Sequence, residues 1–214
     1  MKTPWTPAFT EQDLEIIDTQ ALLKSYLEVE KLHLRFRLFQ GGWSHPVERE
    51  LLKREHAAAV LLYHPDSDQV VMVEQVRMGL LYEKGSPWIL EPVAGIIDPG
   101  ETAESTAHRE AMEEAGCRIT RLIPVATYIV SPGISTELTM TYCGIIDTLP
   151  EQHSIHGLHE DGENIRLHCL GAQEAIALLG PDKPLSASAT ILLQWFRWNH
   201  ALLTSDFPSA LPKK

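Results

Sequence analysis

A chain of 214 residues with 44% hydrophobic content holds one domain with a normal core, or one domain with an appendage. Its formal net charge of −11 excludes general nucleic-acid or anionic-membrane binding, so any phosphate site must be a local basic or metal-rich feature. Three cysteines without a CxxC pair, an opening MKTPWTPAFTEQD with no apolar run, and no apolar stretch of bilayer length predict a cytoplasmic protein without a signal peptide or membrane contact.

The front of the chain is strand-rich. LHLRFRLF (Leu32 to Phe39) alternates apolar with basic or polar residues, as a half-exposed strand does, and Gly41-Gly42 turns it. EHAAAVLLYH and QVVMVEQVR flank PDSD as a hairpin-like pair, and WILEPVAGII is a strand with Gly95 at its end. Asp98-Pro99-Gly100 is a turn, Thr102 is placed to cap a helix, and Gly116 stands where that helix would end in the left-handed conformation. IPVATYIVS, ELTMTYCGII and IRLHCL read as strands, with Ser131-Pro132-Gly133 between the first two. AQEAIALLG and SATILLQWFRWNHALL read as helices. Strands on both sides of one central helix, with helices at the end, predict a mixed sheet between helical layers.

The central helix poses a charge problem. Ala103, Ala107, Ala111 and Ala115 recur every four residues and form a small, smooth stripe that can lie close against a sheet. Beside it Glu110, Glu113 and Glu114 crowd the last turns, where like-charge repulsion and the helix dipole each cost a few tenths of a kcal/mol or more. Arg109 offsets part of this. The plain alternative is an acidic, solvated face. The spacing is more constrained than that: Gly95, five residues, Glu101, seven residues, Arg109-Glu110, two residues, Glu113-Glu114, one residue, Gly116. At roughly 6–7% usage for each of these residues, a chance match in a chain of this size is about one in a million.

This pattern resembles the Nudix box, the signature of the Nudix hydrolases, with every fixed position filled. The resemblance implies an α/β fold, a mixed β-sheet in an α/β/α sandwich, here preceded by a small N-terminal β-domain. The expected division is residues 1–55 for that β-domain, serving dimerisation and nucleotide contact, and 56–214 for the hydrolase domain. It also implies metal-assisted attack of water on a nucleoside diphosphate linked to another moiety. Magnesium is the expected ion, with manganese as the alternative, because it suits carboxylates together with water and substrate phosphates. Glu110 and Glu114, four apart, can point at one ion. Glu113 would bind a second ion or hold a metal water. Arg109 would orient a glutamate, and Glu101 would act on the metal or tie the loop to the helix. By resemblance the backbone carbonyl of Ala94 completes the metal shell. In HGLHEDGENIRLH, Glu163 matches the family's loop glutamate as ligand or base, with Glu160 and Asp161 beside it.

The flanks narrow the substrate. RLFQGGWSHPVERELLKREHAAAVL, VEQVRMG, PWILEPVAGIIDPGE and SPGISTE are similar to the bacterial ADP-ribose pyrophosphatase subfamily, of which Pro132, sixteen residues after Gly116, is a marker. The resemblance implies Arg77 on the substrate phosphates, Arg49 and Tyr26 near the adenine, and Glu137 at the metal-and-ribose end of the pocket. It further implies a homodimer with exchanged N-terminal domains. His56 and the histidines of HSIH have no metal-ligand spacing and are read as structural or surface. Two other readings are a hydrolase of another nucleoside diphosphate derivative, such as a nucleotide sugar, and a non-catalytic ADP-ribose-binding module. The second conflicts with the intact set of box glutamates.

Overall fold

The computed structural model describes residues 5–157, 162–181 and 184–206, and these divide into two units. The first runs up to Glu55 and takes in Ile129–Glu137; the second comprises His56–Tyr128 and the described residues from Leu138 onward.

The first unit is a three-stranded antiparallel sheet in the order β1 (Leu14–Lys24), β2 (Glu28–Phe36), β3 (Val47–Lys53). Sequence alternation alone placed the second strand at Leu32–Phe39. In the structure it starts earlier and stops at Phe36, because the backbone then closes a turn in which Leu38 N–H donates to Gly42 O at 3.1 Å. Gly41 and Gly42 sit at φ of +94° and +80°, a conformation that costs glycine nothing. The 129–137 segment is laced to β3: Leu52 N–H donates to Ile134 O at 2.8 Å, and Thr136 N–H to Leu52 O at 3.1 Å. Every residue of β1 is exposed, among them Leu14, Ile16, Ile17, Leu22 and Leu23.

The second unit is a mixed sheet between helical layers. Its strands are β4 (Ala57–His64), β5 (Gln69–Val76), β6 (Trp88–Glu91), β7 (Val93–Ile96), β8 (from Ile119), β9 (Leu138–Ile146), β10 (Ile155–His156) and β11 (Ile165–Gly171). The order is β10-β11-β5-β4-β9-β8, with β6 on β5, β7 on β4, and β4 and β9 parallel. WILEPVAGII, a single strand by sequence, is two. Pro92 has no N–H to donate and breaks the ladder, so β6 pairs with β5 and β7 with β4.

Strand β4 is buried on both faces, and its alternation divides the core. Ala58, Val60 and Leu62 face α1 (Ala103–Ala115), whose stripe Ala103, Ala107, Ala111 and Ala115 packs on them. Ala59, Leu61 and Tyr63 face α2 (Ala172–Ala177) and α3 (Ala187–Asp206), where Leu192, Leu193 and Phe196 are fully buried. The β4–β5 turn is pinned to α3 through Asp68, which accepts from Tyr63 Oη at 2.9 Å and joins His200 Nε2 at 2.5 Å. Cys117 and Cys143 are buried and unbridged, and burial pushes their thiols up to about 11 and 12. No described helix is long and apolar enough to cross a membrane.

The alanine stripe sets how close α1 lies to the sheet. Ala107→Leu should therefore overpack that contact and lower unfolding free energy by about 1–3 kcal/mol in a urea titration. Met112→Leu, on the exposed side of α1, should stay within about 0.5 kcal/mol of the parent.

Candidate active site

Helix α1 is delimited as its sequence dictates. Gly100, at φ +91°, closes the turn before it. Thr102 Oγ1 then accepts Ser105 N–H at 3.1 Å, a capping box that satisfies the first free amides. At the other end Gly116 adopts φ +60°, and the Gly116 and Cys117 amides close onto Met112 O and Ala111 O.

Arg109 is the hub of the charge cluster. Its Nε and Nη2 donate to the two oxygens of Glu101, each at 3.0 Å, and Nη2 also reaches Ile96 O at 3.1 Å. Nη1 donates to Glu110 Oε1 at 2.7 Å and to Glu113 Oε2 at 3.0 Å. One guanidinium thus ties the loop, two acids of the helix and strand β7 together. Glu101 also accepts from Thr106 Oγ1 at 2.8 Å. The hydrogen bonds from Arg109, then that from Thr106, hold its carboxyl down to about 2. Its contacts are those of a tie between loop and helix.

Glu114 is the acid that Arg109 does not reach. It is 4% exposed, and among the described residues its side chain accepts one hydrogen bond, from Ala94 N–H to Oε2 at 3.1 Å. Burial, reinforced by the charges of Glu110 and Glu163, pushes its carboxyl up to about 8 against the pull of the Ala94 amide and Arg77. Burial also raises Glu110, with Arg109 opposing and Glu113 and Glu163 adding to the rise.

Strand β7 completes the cradle. Ile97 N–H donates to His56 O, which makes Ala57–Ile96 a non-hydrogen-bonded pair and, by alternation, Ala59–Ala94 another. Both backbone polar groups of Ala94 therefore face away from β4. The N–H meets Glu114, and the carbonyl opens on the same edge. At Gly95 an added Cβ would lie 1.7 Å from Glu110 Oε1, so only glycine admits the glutamate there. Near the β10–β11 connection, a Cβ on Gly157 would lie 2.7 Å from Cβ of Glu163, an exposed residue whose charge acts on both Glu110 and Glu114.

Hard oxygen donors on two half-desolvated acids, four residues apart beside a strand-edge carbonyl, suit a divalent cation such as magnesium or calcium. Among the described residues no three acidic, histidine or cysteine side chains converge on one point as they stand, because Glu110 is turned onto Arg109 and Glu114 onto the Ala94 amide. Each retains lone pairs beyond these bonds, so the donor set fits such an ion.

The other residues singled out by sequence fall in two places. Arg77 directly follows β5 in this unit and pairs through Nε with Glu91, a buried acid at the end of β6. Glu91 escaped sequence reading, although a carboxylate inside the apolar run WILEPV was the available signal. Arg49, Tyr26 and Glu137 belong to the first unit. There Arg49 donates to its neighbour Glu48 O at 2.7 Å, Arg54 lies over the exposed Tyr26 ring at 5.7 Å, and Glu137 pairs with Arg54 at 3.7 Å. Glu160 and Asp161 lie outside the described residues. His56 Nδ1 accepts Leu138 N–H at 3.3 Å, a structural role.

A glycine-admitted glutamate, a buried glutamate and a strand-edge carbonyl come together at the end of one helix in an α/β/α sandwich, a donor set of the kind that suits a divalent cation. The chain belongs to the NUDIX domain family, whose model matches residues 53–205. It is 37% identical over 199 residues to the ADP-ribose pyrophosphatase of Escherichia coli K12, covering 93% of this chain and 95% of that protein. It is 28% identical over 200 residues to the GDP-mannose pyrophosphatase of Yersinia pestis Pestoides F, covering 92% and 96%. A crystal structure of an ADP compounds hydrolase shares the fold with a TM-score of 0.65 at 21% identity, over 90% of this chain and 97% of that one.

Glu101 and Glu114 give opposite pH responses. Glu101, at about 2 when folded against 4.5 for the free group, stabilises the fold fully above about 4.5, and that stabilisation is lost as pH falls through about 2. Melting temperatures of the parent and Glu101→Gln should differ at pH 6 and converge toward pH 2. Glu114, at about 8 against 4.5, does the reverse: its ionisation opposes folding, so stability is lost as pH rises from about 4.5 through 8. In chelator, Glu114→Gln should melt above the parent at pH 8 and beyond, with the gap closing toward pH 4.5.

Proposed function

We propose that this chain hydrolyses the diphosphate bond of ADP-ribose, giving AMP and ribose 5-phosphate, with magnesium as its ion. The observation that carries this reading is the Glu110–Glu114 pair held beside Ala94 and Gly95 in a chain that aligns over nearly its full length with an ADP-ribose pyrophosphatase. In the reaction a base takes one proton from a water as its oxygen attacks one phosphorus; the bridging phosphorus–oxygen bond breaks with its electron pair on the oxygen of the departing phosphate, and the water's other proton leaves with the newly formed phosphate. Bound magnesium would supply charge neutralisation of the diphosphate and Lewis-acid polarisation.

The protein's own residues divide that work. Glu110, Glu114 and the Ala94 carbonyl form the ligand set, and Glu113 serves a second ion or an ordered water. Arg109 holds Glu110 and Glu113 in place, having three carboxylates already on its guanidinium and none of its edges left for substrate. Glu163 takes the proton, since its charge acts on the same space as Glu110 and Glu114 while its side chain remains exposed. Arg77, 44% exposed, meets the diphosphate.

The first-unit residues Arg49 and Tyr26 would then serve the adenine in a partner subunit's site of a homodimer with exchanged N-terminal domains, and Glu137 the metal-and-ribose end of the pocket. The support is β1, a strand exposed along its whole length with five large aliphatic side chains each more than 40% exposed. Sedimentation at micromolar concentration should give a dimer, and Ile16→Glu with Leu23→Glu should give a monomer. A second reading, a nucleotide sugar as substrate, is favoured by the similarity to the GDP-mannose pyrophosphatase.

Chromatography of products separates these readings. Purified protein with magnesium, given ADP-ribose and GDP-mannose separately, should convert ADP-ribose to AMP and ribose 5-phosphate, and chelator should abolish turnover. Turnover of GDP-mannose alone would overturn the substrate assignment. Glu114→Gln should lose turnover by about a hundredfold or more while its melting temperature at pH 8 in chelator does not fall. A variant that unfolds with turnover per folded molecule intact would sink the ligand role of Glu114.

A further inference from the structure

We propose that Glu91 is a positioning residue for the diphosphate: by holding Nε of Arg77 it fixes the guanidinium plane and presents the terminal Nη1–Nη2 edge to a phosphate. The proposal rests on the reading of Arg77 as the phosphate-binding arginine.

Register places the pair. Glu91 lies opposite Val73 and Ile89 opposite Gln75, and the ladder continues where Arg77 N–H donates to Pro87 O at 2.8 Å. Residues 73 and 75 of β5, and Arg77 just beyond it, therefore share one face with 89 and 91 of β6. It is the face of α1, since Val73 belongs to the core beneath that helix. Arg77 and Glu91 thus stand on the side of the sheet that carries Glu110 and Glu114, and Pro92 and Val93 alone separate Glu91 from Ala94. Arg77 is close enough for its charge to act on Glu114.

The chemistry of the pair is asymmetric. The Glu91 side chain is 9% exposed, and among the described residues its one hydrogen bond is from Arg77 Nε. A buried carboxylate is strongly disfavoured without a charged partner, so Glu91 cannot let go of Arg77 without cost. Arg77 has no such constraint. Its side chain is 44% exposed, and its two terminal nitrogens make no hydrogen bond to a described residue. A planar guanidinium held at Nε keeps the paired donors that match two oxygens of one phosphate. The long side chain would otherwise have to lose its rotamer freedom when the ligand binds. A buried ion pair that served stability alone could be exchanged whole for apolar side chains with little loss, and because the Arg77 side chain is 44% exposed its charge stays hydrated when Glu91 alone is replaced.

That contrast gives the test. Glu91→Leu removes the acceptor and suits the apolar surroundings, and Glu91→Gln keeps an oxygen that can accept from Nε. Both are compared with Arg77→Gln and with Glu91→Leu/Arg77→Gln by kcat and KM on ADP-ribose, by the magnesium concentration for half-maximal rate, and by thermal melts with and without ADP as a diphosphate probe. Glu91→Leu should remain folded, lose kcat/KM about tenfold or more, lose the thermal protection given by ADP, and keep the parent's magnesium requirement. Glu91→Gln should recover most of both losses, and Glu91→Leu should cost nothing further once Arg77 is gone. A folded Glu91→Leu with parental kcat/KM and ADP protection would overturn the proposal, as would losses that simply multiply in the double variant. Parental values in Arg77→Gln would instead overturn the phosphate role of Arg77, a failure visible without touching Glu91.

Discussion

The contact on which the site depends is the approach of Glu110 to the backbone of β7 at Gly95. A side chain at that position would displace the carboxylate, because its first carbon would overlap it. Close approach needs a smooth helix as well as a bare strand. The stripe Ala103, Ala107, Ala111 and Ala115 supplies it, so that the same small residues that build the α1 core also bring the acids of the helix to the strand edge.

Bringing several acids to the end of a helix is electrostatically unfavourable, and the structure distributes that burden unequally. Arg109 takes Glu101, Glu110 and Glu113 together, and its hydrogen bonds hold the Glu101 carboxyl down to about 2. Glu114 is left with a backbone amide in a buried position, and its carboxyl rises. A cation at this point would find one acid already desolvated and a second held by a competitor it can displace. Arg109 therefore limits the repulsion of the cluster while leaving Glu114 without a compensating charge in contact.

Much of this was legible in the chain. The cap at Thr102 and the stop at Gly116 rest on local backbone chemistry, and each appears where the residue types place it. The unbroken apolar run AAAVLLY, read as one arm of a hairpin-like pair, divides between two cores because successive side chains of a strand must point to opposite sides. The break at Pro92 was also available locally, but the apolar run around it concealed that one strand is two, each with a different neighbour. Strands β1 and β3 have weaker alternation and acquire their form from pairing with β2, which no local window contains.

The sequence by itself determined the spacing of Glu110, Glu113 and Glu114 on one helix, the glycine at 95, and hence the family and the kind of ion the acids suit. Those features follow from helical period and residue type, which are properties of neighbours in the chain. Only the tertiary structure decided which acid Arg109 neutralises, that Glu114 is the buried one, and that Glu91 holds Arg77 from fourteen residues away. Burial and long-range pairing depend on which strands lie side by side. The same carboxylate is thus indistinguishable in sequence whether it ends beside a guanidinium, an amide or water.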